Sequence, residues 1–229
     1  MTTASYFTDV HAAFSLQADA ERAVAQAAYM RNQFSFWGTG VPAARRIGRE
    51  ISRRYPLGSL NELTVRCAGL WQLDQREFQY VACDELRRHS GLLTPEALVD
   101  LSALITAKSW WDTVDELGRH SVGDIVRHFP DTRCVMDDWL ASDELWLVRS
   151  AILHQERWRA DTDFDWLRAA CLRHGTHPDF FIRKAIGWSL RSYAHSSAVN
   201  AAKVRQFIAE HDSELSGLSK REALKRVIG

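Results

Sequence analysis

Three features of the sequence predict an all-α fold. Apolar residues return every three or four positions through most of the chain. No stretch alternates apolar and polar residues for long enough to argue a strand. The five prolines, at 42, 56, 95, 130 and 178, stand between the periodic segments, where they would separate helices or helix pairs. Short helices with short joints and no long linker suggest stacked helix pairs in a single domain, 1–229. At about 40 residues per HEAT-like unit, the length holds about five or six of them. Such an α-solenoid curves, and its concave surface is the expected place for a partner.

The elements follow in order. Residues 1–26 look helical and would form an N-terminal cap on the stack. In AARRIGREISRR, Arg45, Arg49 and Arg53 lie four apart with Arg46 beside them. That is a helical arginine face, either solvated or following a phosphate backbone. In PEALVDLSALITAK, Leu98, Leu101, Leu104 and Ile105 share one face, with Thr94 as the N-cap and Pro95 at the first helical position.

SWWDTVD, residues 109–115, concentrates aromatic surface and charge. Ser109 is spaced to cap a helix while Asp112 reaches back towards it. Trp110 shares a face with Val114, which suits a core, and Trp111 lines up with Asp115 four residues on. An indole beside an acid either cradles a positive group or forms the solvated side of an amphipathic helix. In ELWLVRSAIL, Leu145, Val148 and Ile152 face inward and Arg149 interrupts the run. Arg149 is half of a buried salt bridge or a phosphate contact. FFIRKAIGWSLRSYA, residues 180–194, sends Ile182, Ile186 and Tyr193 to the core and exposes Arg183 and Lys184. It leaves Trp188 on a face with Phe181 and Ala185. In SKREAL, Ser219 and Glu222 have the spacing of a capping box.

Charge adds a pattern that the neutral total hides, since 29 basic residues balance 29 acidic ones. Residues 31–54 carry six arginines against one glutamate, and 183–226 nine basic against four acidic side chains. Residues 131–165 invert this with four basic and nine acidic. Basic faces with an acidic flank are therefore expected. The four cysteines, at 67, 83, 134 and 171, form no CxxC pair, so free thiols are expected rather than a disulfide framework. Cys171, His174 and His177 stand three apart, but no second ligand cluster follows, and a polar loop is expected there rather than a metal site. No P-loop, dinucleotide-binding glycine pattern, HExxH or GxSxG appears, so neither a nucleotide cofactor nor a hydrolase triad is expected. No apolar run approaches the roughly 18 residues of a membrane span, and no secretory signal is visible at the N-terminus. A cytoplasmic location is expected.

YMRNQFSFWGTGVPAARR, REFQYVACDEL, SWWDTVD, WLVRSAIL, FFIRKAIGWSLRSYA and LSGLSKREALKRV resemble, in that order, segments of the AlkD-type DNA alkylation repair family. The resemblance runs from about residue 27 to the C-terminus. It implies a HEAT-like helical solenoid, working as a monomer without metal or cofactor. Its partner would be duplex DNA containing alkylated bases. Its activity would be that of a monofunctional glycosylase excising 3-methyladenine and 7-methylguanine in base excision repair. On the matching positions it implies Asp115 as the catalytic carboxylate, Trp111 and Trp188 at the lesion, and Arg149 on the nearby backbone. Arg45, Arg46, Arg49, Arg183 and Lys184 are the further candidates for backbone contact. Three places depart from the family pattern: Ser35 stands where a proline is usual, Ala43 and Ala44 precede Arg45, and Val148 precedes Arg149.

The chemistry is coherent with those residues. Methylation at N3 or N7 makes the purine cationic and a good leaving group. What remains is to stabilise an oxocarbenium-like sugar, which a carboxylate near C1′ does. Glycosylases usually extrude the base; members of this family are expected to leave it stacked. A non-catalytic HEAT-like module binding DNA or protein is the alternative. An Asp115 found away from the concave groove, or locked against a neighbouring cation, would reduce the repair reading to a helical scaffold.

Overall fold

A computed structural model describes residues 3–227. Every regular element among them is helical, as the periodicity predicts. The chain gathers into two compact units, Met1–Asp100 and Leu101–Gly229.

The first unit holds α1 (Thr3–Ser15), α2 (Ala20–Tyr29), α3 (Val41–Ser52), α4 (Leu60–Gln72) and α5 (Arg76–Arg88). The expected N-terminal helix over 1–26 is thus two helices, broken before Asp19, whose carboxylate accepts the Arg22 N–H at 2.9 Å. α1 packs on α3 and α4, and these two pack on α5. Tyr6, Val10 and Phe14 recur every four residues along α1 and are fully buried, as are Leu63 and Leu70 of α4 and Phe78 of α5. Each such side chain contributes about 1.5–3 kcal/mol on leaving water. The Phe14 and Phe78 rings meet edge to face, 5.5 Å between centroids.

One buried acid organises the long connection between α2 and α3. Glu77 has no exposed surface, and its carboxylate accepts the backbone N–H groups of Trp37, Gly38 and Thr39 at 3.1, 3.0 and 3.2 Å. Gly38 sits at φ +83°, and a Cβ there would lie 2.0 Å from the Asp19 carbonyl oxygen, so only glycine fits. Burial pushes the Glu77 carboxyl up from its ordinary value, against the pull of these amides.

α6 (Ala97–Thr106) contains the boundary between the units. Leu98, Leu101, Leu104 and Ile105 are buried as predicted. The helix starts later than predicted: Thr94 and Pro95 form a preceding turn, their carbonyls accepting from Ala97 and Leu98 at 3.0 and 3.1 Å.

In the second unit α7 (Trp111–Glu116), a π-helical turn (Leu117–Val122) and α8 (Gly123–His128) run on without a break. Then come α9 (Arg133–Leu140), α10 (Leu145–Leu153), α11 (Phe164–Arg173), α12 (Phe180–Ala194), α13 (Ala198–Glu210) and α14 (Gly217–Ala223). α12 is the hub, packed on α10, α11, α13 and α14. Its Ile182, Ile186 and Leu190 are fully buried, together with Ile152 of α10 and Val204 of α13. Acidic and hydroxyl caps set the starts: Glu144, Asp163, Asp179 and Ser197 each accept a first-turn N–H. The predicted capping box is displaced by one turn. Ser216 accepts the Ser219 N–H at 3.0 Å, buried Ser219 donates its hydroxyl to the Arg183 carbonyl at 3.0 Å, and Glu222 turns to Lys184 and Arg191.

His154 follows α10 and has no exposed surface. Its Nδ1 lies 2.6 Å from the Ala151 carbonyl oxygen, to which it donates. Its ring stands edge-on to Trp158 and Trp166, centroids 5.3 and 4.8 Å away. Burial pulls its pKa down to about 4, so it is held neutral.

Candidate functional site

α7 separates the two adjacent tryptophans as their spacing predicts. Trp110 is buried, its ring 5.1 Å from Phe181 and 5.9 Å from Trp146. Trp111, rotated onto the next face, is half-buried. Ser109 does not cap α7. Its hydroxyl donates backward to the Ile105 carbonyl at 2.7 Å, closing α6 instead, and Trp110 holds the N-cap position without a side-chain capping bond. Asp112 lies in the first turn, where a negative charge suits the helix dipole.

Asp115 is neither solvated nor open. It keeps 7% of its surface exposed and Arg149 keeps 4%. The two meet as a fork: Arg149 Nε donates to one carboxylate oxygen at 2.7 Å and Nη2 to the other at 2.8 Å. Arg149 Nη1 donates to the Phe181 carbonyl, tying the guanidinium to the start of α12. Of the two roles open to Arg149, the buried salt bridge is the one seen. Burial pushes the Asp115 carboxyl up, opposed first by the Arg149 charge and its hydrogen bonds and then by Arg119.

Two glycines bring the acid and the arginine within reach. A Cβ on Gly118 would lie 3.2 Å from the Ser150 Cα, and one on Gly123 2.3 Å from the His154 carbonyl oxygen. Their absent side chains let the π turn lie directly against α10. Asp115, one residue before that turn's N-cap, is thereby brought to Arg149.

Trp188 is half-buried rather than core. Its indole carries the Arg119 guanidinium 4.5 Å above the ring centroid, a cation–π contact. Arg119 Nε donates to Glu156 at 2.6 Å, and the Ser192 hydroxyl donates to the other Glu156 oxygen at 2.7 Å. Arg119 thus joins the two halves of the site, in contact with Trp188 and electrostatically coupled to Asp115. Sequence reasoning did not find it. A lone arginine in LGRHS carries no periodic signal, and its partners lie 37 and 69 residues away.

The remaining candidates are placed more diversely. Arg183 and Lys184, expected exposed, are half-buried: Arg183 Nε donates to the Asp179 carbonyl at 3.3 Å, and Lys184 pairs with Glu222 at 3.0 Å. Arg45, Arg46 and Arg49 belong to the first unit and are exposed on α3. There Arg45 lies 3.7 Å from Asp84, and Arg46 donates to Gln17 at 3.2 Å. Among the described residues no three ligand-type side chains gather as a metal site. Cys171 is buried, His174 donates to the Leu140 carbonyl at 2.9 Å, and His177 accepts the Asp179 N–H at 3.1 Å. No helix among the described residues is long and apolar enough to cross a membrane.

Comparison with known proteins bears on the family of the whole chain. Residues 10–227 match the model of a family described as DNA alkylation repair enzyme. A solved structure described as a predicted DNA alkylation repair enzyme from Enterococcus faecalis superposes with a TM-score of 0.83 at 28% sequence identity. The overlap covers 92% of this chain and 96% of that one. A search of curated proteins finds no match. The family match takes in both compact units and every residue of the Asp115 site. The chain therefore belongs to the DNA alkylation repair enzyme family, and its role lies in the repair of alkylated DNA.

Proposed function

We propose that the chain is a monofunctional DNA glycosylase. It hydrolyses the N-glycosidic bond of cationic N3- and N7-alkylated purines, 3-methyladenine and 7-methylguanine among them, in duplex DNA. It acts as a cytoplasmic monomer, without a cofactor and without turning the base out of the stack. The observation that carries this reading is a buried carboxylate, Asp115, that stands one helical turn after half-buried Trp111 and is electrostatically coupled to Arg119, the cation over half-buried Trp188. In so dry a site an anion stabilises developing positive charge far better than in water. The fork with Arg149 uses one lone pair on each Asp115 oxygen, and a carboxylate has about four acceptor sites. The outer ones remain for a water or for the sugar. As the C1′–N bond breaks, its electrons leave with the alkylated base as a neutral purine and positive charge builds on C1′. Water held at the carboxylate then bonds C1′ through its oxygen and gives up its proton by way of the carboxylate to solvent. Trp111 and Trp188 pack against the sugar. Arg149 holds the acid in place through their fork and reaches the backbone at the lesion only by trading part of that fork for a phosphate, with Arg45, Arg46, Arg49, Arg183 and Lys184 as further phosphate contacts.

The test is release of free purine from a methylated duplex. Asp115→Asn should slow 7-methylguanine release by about 10²–10³-fold, the usual loss when one charge-stabilising group is removed. Alkylated duplex should still bind. Release at the wild-type rate would rule Asp115 out.

A second reading draws on the same ion pair. An acid locked on Arg149 is the arrangement that the sequence reading set against catalysis, and it suits a non-catalytic helical module that binds DNA or a protein. Wild-type protein that binds duplex but releases no purine would establish that reading instead.

A further inference from the structure

The second unit contains a cavity of about 440 Å³ that none of the candidate residues above accounts for. Its lining includes three arginines, Arg119, Arg157 and Arg159, and a single acid, Glu156. That carboxylate is already occupied by Arg119 and Ser192. Arg157 has only a loose contact, 3.8 Å to Asp124 with both side chains well exposed, which holds it weakly. Arg159 is exposed and makes no ion pair among the described residues. It also sits at φ +56°, a conformation that costs a non-glycine residue energy and that clusters at functional sites. Two weakly held cations in the lining of an open polar cavity, with its one carboxylate already spent, make an anion site.

Position decides which anion. Ser192 stands four residues after Trp188 on α12, so the cavity begins one helical turn from that indole. Arg119 spans the two, over Trp188 on one side and lining the cavity on the other.

We infer that this cavity seats a backbone phosphodiester of duplex DNA next to the nucleotide at Trp188, held by Arg157 and Arg159. The inference rests on the proposal that the Asp115 site works on DNA. It supplies a register contact within the unit that contains the acid. An acidic protein segment or a free anion is chemically acceptable to the same groups, and the test separates these from DNA.

The experiment compares wild type with Arg157→Gln/Arg159→Asn, asparagine being chosen because it tolerates positive φ. Binding to a duplex carrying one 7-methylguanine, and to the same duplex unmodified, is followed from 50 to 200 mM salt. Purine release is measured at saturating protein. The double variant should bind both duplexes about tenfold more weakly at 100 mM salt. Its slope of log K against log salt should be shallower by about 1–2, while the single-turnover release rate stays within about twofold. An unchanged slope overturns the site, and if release is intact in both proteins the glycosylase proposal survives that failure. A slope that drops in the variant while wild type releases no purine keeps the phosphate site and removes the glycosylase proposal. A measurement on wild type alone guards against misfolding of the variant. The Arg157 and Arg159 Nε–H resonances should shift when unmodified duplex is added, and resonances that stay put with DNA bound overturn the site. Inorganic phosphate in place of duplex should move them little at the same concentration. An equal response would assign the cavity to a free anion and overturn the DNA contact.

Discussion

Glu77 and Asp115 are both buried carboxylates, both pushed up by burial, and they are satisfied in opposite ways. Glu77 is held by three backbone amides on a loop that only glycine can complete at position 38. Asp115 is held by one side-chain cation, which is itself tied to the start of α12. Backbone amides cannot leave without unmaking the loop, so Glu77 is architecture. A guanidinium can trade partners, and its fork leaves acceptor sites on the acid open. Burial alone therefore does not distinguish an acid fixed by the backbone from one whose partner can be exchanged; the nature of the partner does.

The comparison breaks first at Arg149. Arg149→Met should cost about 3–5 kcal/mol of stability in urea denaturation, because Asp115 is left buried and uncompensated. Adding Asp115→Asn should recover a good part of that loss. If single and double variants unfold at the same urea concentration, the two residues are not energetically coupled. Glu77→Ala should cost slightly less, about 3–4 kcal/mol, by orphaning three buried N–H groups. Purine release per folded molecule should be unaffected, and a loss of release in a folded Glu77→Ala would erase the distinction drawn here.

His154 sharpens the contrast from the opposite charge. Its folded pKa of about 4 lies below the ordinary value of 6.5, so its contribution is complete above pH 6.5 and lost as pH falls towards 4. The loss should reach about 3 kcal/mol. Wild type should therefore lose more stability between pH 7 and pH 4 than His154→Leu. Equal losses would show that acid sensitivity lies elsewhere.

Much of this was legible in the sequence because it is local. The inward faces of α6 and α12, the proline boundaries and the division of labour between Trp110 and Trp111 follow from helical spacing alone. Cap registers at Ser109 and Ser216 were not, since a serine near a helix end finds its partner in either of two neighbouring turns. Long-range partnerships were invisible: Asp115 with Arg149 lies 34 residues apart and Glu77 with its loop about 40. Summed charge misled most over 131–165. There Glu144 and Asp163 are occupied at helix starts, while Arg157 and Arg159 line a cavity within a stretch whose total is acidic.

The π turn after Asp115 carries one residue more than an ordinary helical turn would accept. Deleting a residue between 117 and 122 would restore regular winding and swing the downstream helix by about 100°. Gly123 would then face away from the His154 carbonyl, and a bulkier neighbour would be driven into it. Gly118 apart, chain length in this short stretch is thus under tighter constraint than residue identity, and natural variants of the family should tolerate substitution there far more readily than shortening.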